Sequence, residues 1–323
     1  DAIKEIVENS SALIDVLAQK AEESKAVFMP GYTHLQVAMP SSFGLWFGAY
    51  AESFTDDLEL LFSAYKITNQ NPLGSAAGYG SSFPLNRQMT TDLLGFNNMN
   101  YNVVYAQMGR GKVEKIVSFA LSNLASTLAK LAYDVCLFMS QNFGFVSLPA
   151  EFTTGSSIMP HKKNPDVFEL LRARCNKIQG IPAQITMIIN NLPSGYFRDL
   201  QMVKEIFFPM FKELNDCINI AGLALKNMTI NKHILDDSRY DYIFSVEEVN
   251  RLVLSGVPFR EAYKIVGATI EQGAFTPNKK IHHTHEGSIG NLCVQNILEK
   301  KQASLQQFNF ECVQTAKEKL IDD

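Results

Sequence analysis

The stretch KVEKIVSFALSNLASTLAKLAYDVCLFMSQN, residues 112–142, decides the fold. Its apolar residues recur at alternating steps of four and three, the spacing of a coiled-coil seam: Val117, Leu121, Leu124, Leu128, Leu131, Val135 and Phe138. With a rise of ~1.5 Å per residue, the stretch predicts a helical rod roughly 45 Å long. Such a rod is longer than a small domain, so helices of similar length must cover its apolar stripe.

Four further segments have helical periodicity and can provide that cover, namely residues 1–24, 41–66, 165–190 and 199–227. Polar connections rich in glycine, serine and asparagine separate them, at residues 29–40, 69–87, 144–164 and 191–198. Strand signals are nearly absent, and the helices shorten after residue 233. We therefore predict an all-α protein with about five long helices in a bundle. The bundle domain, residues 1–232, contains the candidate active-site loops, and residues 233–323 form a smaller C-terminal helical domain.

Composition excludes several classes of function. The net charge of −4 provides no basic field that would attract nucleic acid or an acidic membrane, so any anion site must be local. The five cysteines are odd in number, widely spaced and never in a CxxC pair, which argues against a disulfide framework or a structural zinc. No run approaches the ~20 apolar residues of a membrane span. A reducing cytoplasm fits best.

The helix predicted over residues 41–66 carries large apolar side chains on more than one face, including Trp46, Phe47, Tyr50 and Phe54. Burial of this helix is therefore not expected to be limited to one chain. We therefore expect the chain to form an oligomer through the bundle.

The loop GSSIMPHKKNPD, residues 155–166, combines small residues, hydroxyls, cations and a helix start. Asn164 is a predicted N-cap and Pro165 the first helical residue, with Asp166 and Glu169 in the first turn. A capped helix alone does not explain why His161, Lys162 and Lys163 precede a helix N-terminus that already favours anions. The loop therefore favours binding of a carboxylate or phosphate over a purely structural role, and its mobile Thr-Thr-Gly-Ser-Ser start suits a lid.

Three other polar stretches give weaker signals. GYTHLQ, residues 31–36, places Thr33 and His34 in a connection between two prolines. LPSGYFRDLQMVKE, residues 192–205, places Tyr196 in a connection and Gln201 and Lys204 on one helix face. HHTHE, residues 282–286, lacks the spacing of an HExxH helix or a zinc ribbon, so we predict no metal site there.

The loop GSSIMPHKKN matches every fixed position of the GSSxMPxKxN pattern and resembles the fumarase/aspartase superfamily. GYTHLQ, KKNPD and the Tyr196-x4-Gln201-x2-Lys204 spacing are most similar to its argininosuccinate lyase branch. Fumarases tend to have GRTH and GKVNP in these places, and adenylosuccinate lyases KRNP. The resemblance is strongest over residues 29–205. It implies three helical domains in a homotetramer, with a core of long helices and each active site built from loops of three subunits.

The resemblance also implies the chemistry, which is reversible elimination of fumarate from argininosuccinate to give arginine, the last step of arginine synthesis. The implied catalytic residues are the general base Ser156, Lys162 beside the developing dianion, His34 in substrate binding and proton transfer, and Glu169 orienting His34. Asn164 would also hold the dianion, and the residues implied to contact substrate carboxylates are Thr33, Tyr196, Gln201 and Lys204. No metal or organic cofactor is implied.

One departure from the family pattern affects the active site. The S-R-N-D-Q motif of the family's first domain does not occur in these 323 residues. We therefore expect that domain to be absent from this chain and the chain alone to be inactive or severely impaired. Two alternatives remain: another fumarate-releasing lyase, such as adenylosuccinate lyase, or a non-catalytic helical oligomer like the delta-crystallins. Retention of Ser156, Lys162, Asn164, His34 and Glu169 together counts against the second, because packing has no use for that set.

Overall fold

The computed structural model describes residues 1–321, and helices make up most of its regular secondary structure. The helices are α1 (Ala2–Glu23), α2 (Phe43–Thr68), α3 (Arg87–Leu93), α4 (Val103–Met108), α5 (Lys112–Met139), α6 (Asp166–Gln179), α7 (Ile181–Ile189), α8 (Val203–Lys226), α9 (Ser245–Leu254), α10 (Phe259–Glu271), α11 (Val294–Gln306) and α12 (Glu311–Ile321). The strands are β1 (Phe28–Thr33), β2 (Gln36–Ser42), β3 (Gln70–Asn71), β4 (Asn98–Met99), β5 (Val146–Ser147), β6 (Thr154–Gly155), β7 (Lys163–Asn164) and β8 (Thr229–Ile230). They form two-stranded ribbons only, in the pairs β1–β2, β3–β4, β5–β8 and β6–β7.

The long helices α1, α2, α5, α6 and α8 pack together as the predicted bundle. All seven residues of the α5 seam are buried, which confirms the sequence prediction. The Glu114 carboxylate accepts a hydrogen bond from the Gly111 N–H at 2.6 Å and closes the first turn of α5. An 18-residue window of α5 has a mean hydropathy of 1.2, high enough for a membrane span, but 56% of that window is buried in the bundle. The helix is therefore the centre of a protein core.

Two local differences from the predicted elements have clear causes. The helix predicted over residues 165–190 is divided into α6 and α7 at Gly180, because Pro182 lacks the N–H that would continue the ladder. The helix predicted over residues 199–227 begins as a 3₁₀ turn, Arg198–Gln201, before α8. Both changes are small, and the predicted all-α class holds.

The C-terminal part of the chain has two different environments. Helices α9 and α10 pack on each other around a separate small core of Val249, Ala262 and Val266. Helix α11 returns to the bundle, where Lys300 contacts Asp56 at 2.6 Å and Lys301 forms an ion pair with Asp15. The division into domains 1–232 and 233–323 remains a proposal, in which the α9–α10 cluster is the separate core of the second domain.

Candidate active site

Thr33 and His34 lie at the tip of a β-hairpin, where the sequence indicated only a polar connection. Strands β1 and β2 pair with Thr33 opposite Gln36, so His34 and Leu35 are the two residues of the turn. Both have left-handed backbone angles, with φ of 54° and 57°, a conformation that asparagine and glycine normally occupy in such turns. The turn exposes both predicted site residues, Thr33 and His34, to solvent.

Ser156 and Lys162 flank the tip of a second, shorter hairpin. Strands β6 and β7 pair Thr154 with Asn164 and Gly155 with Lys163, and continuing this register by one residue places Ser156 opposite Lys162. The Ser156 Oγ accepts hydrogen bonds from the backbone N–H groups of Met159, at 3.1 Å, and Ile158, at 3.3 Å. These two N–H donors favour negative charge on this oxygen.

Asn164 does not cap α6, so this prediction is wrong. The residue belongs to β7, and its side-chain amide donates to the Thr154 Oγ at 3.4 Å. Pro165 occupies the N-cap position instead, and its carbonyl accepts from the Glu169 N–H at 3.0 Å. The Asn164 side chain is turned to Thr154, so it does not reach the free N–H groups of the first turn of α6. Asp166 and Glu169 lie in the first turn as predicted.

Tyr196 and Gln201 form a third group, together with Arg110, which the sequence reasoning missed. Gln201 Nε2 donates to the Tyr196 hydroxyl at 3.0 Å, and the Arg110 guanidinium carbon lies 5.3 Å from the Tyr196 ring centre. The Gln201 hydrogen bond, with smaller contributions from Arg110 and Arg198, holds the pKa of Tyr196 below its usual range. Lys204 is exposed on the first turn of α8.

A cleft of about 160 Å³ opens beside this group, with Arg110, Lys112 and Ser194 in its lining. Its cationic and hydroxyl side chains suit a carboxylate ligand. The available sequence signal for Arg110 was its position between Gly109 and Gly111, directly before the long helix.

The second and third groups lie at opposite ends of α5. At the C-terminal end of α5, the Arg172 guanidinium carbon from α6 lies 5.7 Å from the Tyr133 ring centre. At the N-terminal end, a Cβ added to Gly111 would lie 2.5 Å from Ile189 of α7. Helices α6 and α7 therefore run antiparallel to α5, and the two groups are roughly 40 Å apart at a rise of ~1.5 Å per residue.

The predicted contact between His34 and Glu169 is absent within one chain among residues 1–321. Hairpin β1–β2 nevertheless lies at the same end of α5 as the Ser156 loop, since the Tyr32 ring is 5.5 Å from Phe143. One chain thus presents the predicted site residues in three separate groups.

The HHTHE stretch has no metal-like arrangement. His283 Nε2 lies 2.9 Å from the Glu247 carboxylate, and the ring centres of His283 and His285 are 6.3 Å apart. In the part of the chain that the structure describes, no three His, Cys, Asp or Glu side chains are placed to share a metal ion.

Comparison with known proteins gives consistent results at the level of family and fold. The family model described as "Lyase" matches residues 1–180. The argininosuccinate lyase of Parabacteroides distasonis is 64% identical over 319 residues, which cover 99% of this chain and 72% of that protein. That of Bacteroides fragilis is 63% identical, again covering 99% of this chain and 71% of the relative.

Among solved structures, EDDS lyase in complex with formate superposes with a TM-score of 0.85 at 22% identity, covering 99% of this chain and 73% of that one. The class II fumarase of Schistosoma mansoni gives a TM-score of 0.71 at 19% identity, covering 85% of this chain and 64% of that one. These likenesses support the helical fold.

Proposed function

Because the chain belongs to the argininosuccinate lyase family, we propose that its three separate groups of site residues form one active site between copies of the chain. The protein is a C–N lyase, which eliminates fumarate from argininosuccinate and leaves arginine. The observation that carries the catalytic proposal is the Ser156 oxygen, which accepts hydrogen bonds from two backbone N–H groups at the end of the β6–β7 hairpin.

Ser156 is the general base in this proposal. A serine hydroxyl is a poor base in water, so its surroundings must stabilise the alkoxide. The N–H groups of Ile158 and Met159 point at the oxygen, and Lys162 and the α6 N-terminus add positive potential. These contributions come from a preformed hairpin tip and need little rearrangement when the charge appears.

The base removes a proton from the carbon next to a substrate carboxylate, and the electron pair moves onto that carboxylate as a dianion. Lys162 and Asn164 stabilise the added charge, since both flank the same hairpin tip. The electron pair of the dianion then forms the C=C bond of fumarate, while the C–N bonding pair leaves with the arginine nitrogen, which takes up a proton. Thr33 and His34 reach the substrate from hairpin β1–β2, and Glu169 of another copy orients His34. No metal or organic cofactor takes part in these steps.

Tyr196, Gln201 and Lys204 bind the substrate carboxylates, and Arg110 joins them. Arg110 and Lys204 provide charge, and the Gln201–Tyr196 hydrogen bond orients the phenol beside the cleft. Since this group is roughly 40 Å from Ser156 on one chain, a substrate cannot touch both in a monomer. An antiparallel neighbouring copy would bring its own Ser156 end beside this group, and the assembly that we propose is a homotetramer with shared sites.

The decisive experiment on the base is Ser156→Ala in the full-length protein, with fumarate release followed by absorbance. We expect kcat to fall by about 10²- to 10⁴-fold, while KM changes little. Ser157→Ala is the matched control, because the neighbouring Ser157 is exposed and we expect near-normal kcat. Near-normal kcat in Ser156→Ala would contradict the assignment of the base.

Mixing two inactive variants tests the shared site. Ser156→Ala and Lys204→Met each remove a different group, so a mixed oligomer contains some sites with both groups intact. We expect activity to return on mixing, and continued inactivity of verified mixed oligomers would refute the sharing.

Offering adenylosuccinate in place of argininosuccinate tests the neighbouring-lyase alternative. Turnover of argininosuccinate by the wild type excludes the non-catalytic scaffold. The proposed place of action is the cytoplasm, in arginine synthesis.

A further inference from the structure

Residues 74–80, GSAAGYG, form a turn with an unusual backbone. Five of its seven residues have left-handed φ angles, and two of these, Ala76 at 48° and Ala77 at 59°, are not glycine. Each alanine in this region costs about 1–2 kcal/mol. A turn with this much strain persists only where its surroundings impose the conformation.

Two sets of contacts hold this turn in place. The Arg87 guanidinium donates hydrogen bonds to the carbonyls of Leu73, Tyr101 and Asn100, at 2.9, 3.0 and 2.7 Å. Gly78 is buried against α4, where an added Cβ would lie 3.0 Å from the Cβ of Gln107. The Arg87 bonds thus join Leu73, at the start of the turn, to residues 100–101, and Gly78 packs on α4, so the turn lies beside the segment that leads to Arg110.

The turn projects Tyr79 towards the Tyr196 group. The Tyr79 hydroxyl lies 3.5 Å from the position that a Cβ on Gly195 would occupy, next to Tyr196 in sequence. Gly195 itself has φ of +123° and lines the cleft together with Arg110. The Tyr79 side chain is 72% exposed, so its hydroxyl is available to a ligand at the mouth of the cleft.

We propose that Tyr79 is a substrate-binding residue, whose hydroxyl donates a hydrogen bond to the substrate carboxylate that Arg110 and Gln201 attract. This inference rests on the proposed function and adds a residue to its binding group. A neutral donor suits the position, because Arg110, Lys112 and Lys204 already supply positive charge. A hydroxyl group can orient the carboxylate through a directional hydrogen bond without adding further positive charge.

The test is Tyr79→Phe in the full-length protein, which removes the hydroxyl and keeps the ring. We expect KM for argininosuccinate to rise about tenfold, as for loss of a hydrogen bond to a charged group, while kcat stays within about twofold. The Kd of argininosuccinate, measured by calorimetry on the Ser156→Ala background, should rise by the same factor.

Tyr101→Phe is the matched control. Tyr101 is similarly exposed, at 75%, and its backbone carbonyl is held by the same Arg87. We expect its KM to equal that of the wild type.

Wild-type KM in Tyr79→Phe, or a lower kcat at unchanged KM, would overturn the inference while leaving the lyase function intact. A lower melting temperature or altered assembly in Tyr79→Phe would assign the hydroxyl a structural role and also overturn it. A wild type that releases no fumarate from argininosuccinate would instead refute the proposed function.

Discussion

Asp57 provides a test of how a buried carboxylate affects the free energy of unfolding of the helix bundle. Its side chain is only 3% exposed between α2 and α5. Asn123 Nδ2 donates to one carboxylate oxygen at 2.5 Å, while the other oxygen is buried and has no hydrogen-bond partner among the described residues. Burial, with a small contribution from the charge of Asp56, raises the pKa of Asp57 from 3.8 to about 6, although Thr127 and Asn123 oppose the rise. The folded protein therefore favours the protonated acid.

The sign of the pH effect follows from linkage. Since the folded pKa is higher than the unfolded one, ionisation of Asp57 destabilises the fold, and the free energy of unfolding falls as pH rises from about 4 to about 6. A difference of about two pKa units corresponds to about 3 kcal/mol at pH 7.5, and to about 1 kcal/mol at pH 4.5. Asp57→Asn removes the ionisable group at almost constant shape.

We therefore expect Asp57→Asn to gain about 2 kcal/mol relative to the wild type between pH 4.5 and pH 7.5. The assay is urea unfolding of both proteins at equal concentration across that range. The pH dependence of the difference is decisive, because any constant difference between the amide and the protonated acid cancels.

Asp56→Asn is the matched control, since the Asp56 side chain is 65% exposed and contacts Lys300 at 2.6 Å. We expect its unfolding free energy to change by less than about 1 kcal/mol at any pH in the range. A pH-independent difference between Asp57→Asn and wild type would refute the reasoning.

Two further predictions concern the start of α5. Gly111→Ala should cost about 2–4 kcal/mol of unfolding free energy by urea titration, because φ is +79° and the new Cβ would lie 2.5 Å from Ile189. Gly144→Ala, with φ of +59° and nothing within 4 Å, should cost only about 1–2 kcal/mol, and equal costs would show that the clash contributes nothing. Arg110→Lys keeps the charge but loses the planar group over Tyr196, so KM for argininosuccinate should rise about tenfold in a fumarate assay, and an unchanged KM would contradict this role.

Local patterns predicted the helices well and the short ribbons poorly. The apolar seam of α5 repeats over more than four helical turns, so the prediction of this helix does not depend on any single residue. Hairpin β1–β2 carries no such repetition. Its turn is His34–Leu35, and not the Asn-Gly dipeptide that typically predicts a two-residue hairpin. Its strands also contain Pro30 paired with Pro40, and proline is rare within strands.

Competition between local and distant partners explains the wrong cap. Asn164-Pro165 is a good helix start when read alone. Thr154 lies ten residues earlier, and its pairing with Asn164 in β6–β7 is not visible in the local pattern. This pairing turns the Asn164 amide towards Thr154, and Pro165 occupies the N-cap position of α6.

The all-α class and the central helix are predictable from residue patterns alone, and the GSSIMPHKKN loop and the other motifs indicate the family and its lyase chemistry. These follow from periodicity and from short motifs, which depend on neighbouring residues only. The tertiary structure decided which groups meet: Arg110 beside Tyr196, 86 residues later, and Asp57 buried beside Asn123. It also placed Ser156 and Tyr196 at opposite ends of one rigid helix, roughly 40 Å apart. Distances between remote residues depend on how helices pack, and no local pattern contains that information.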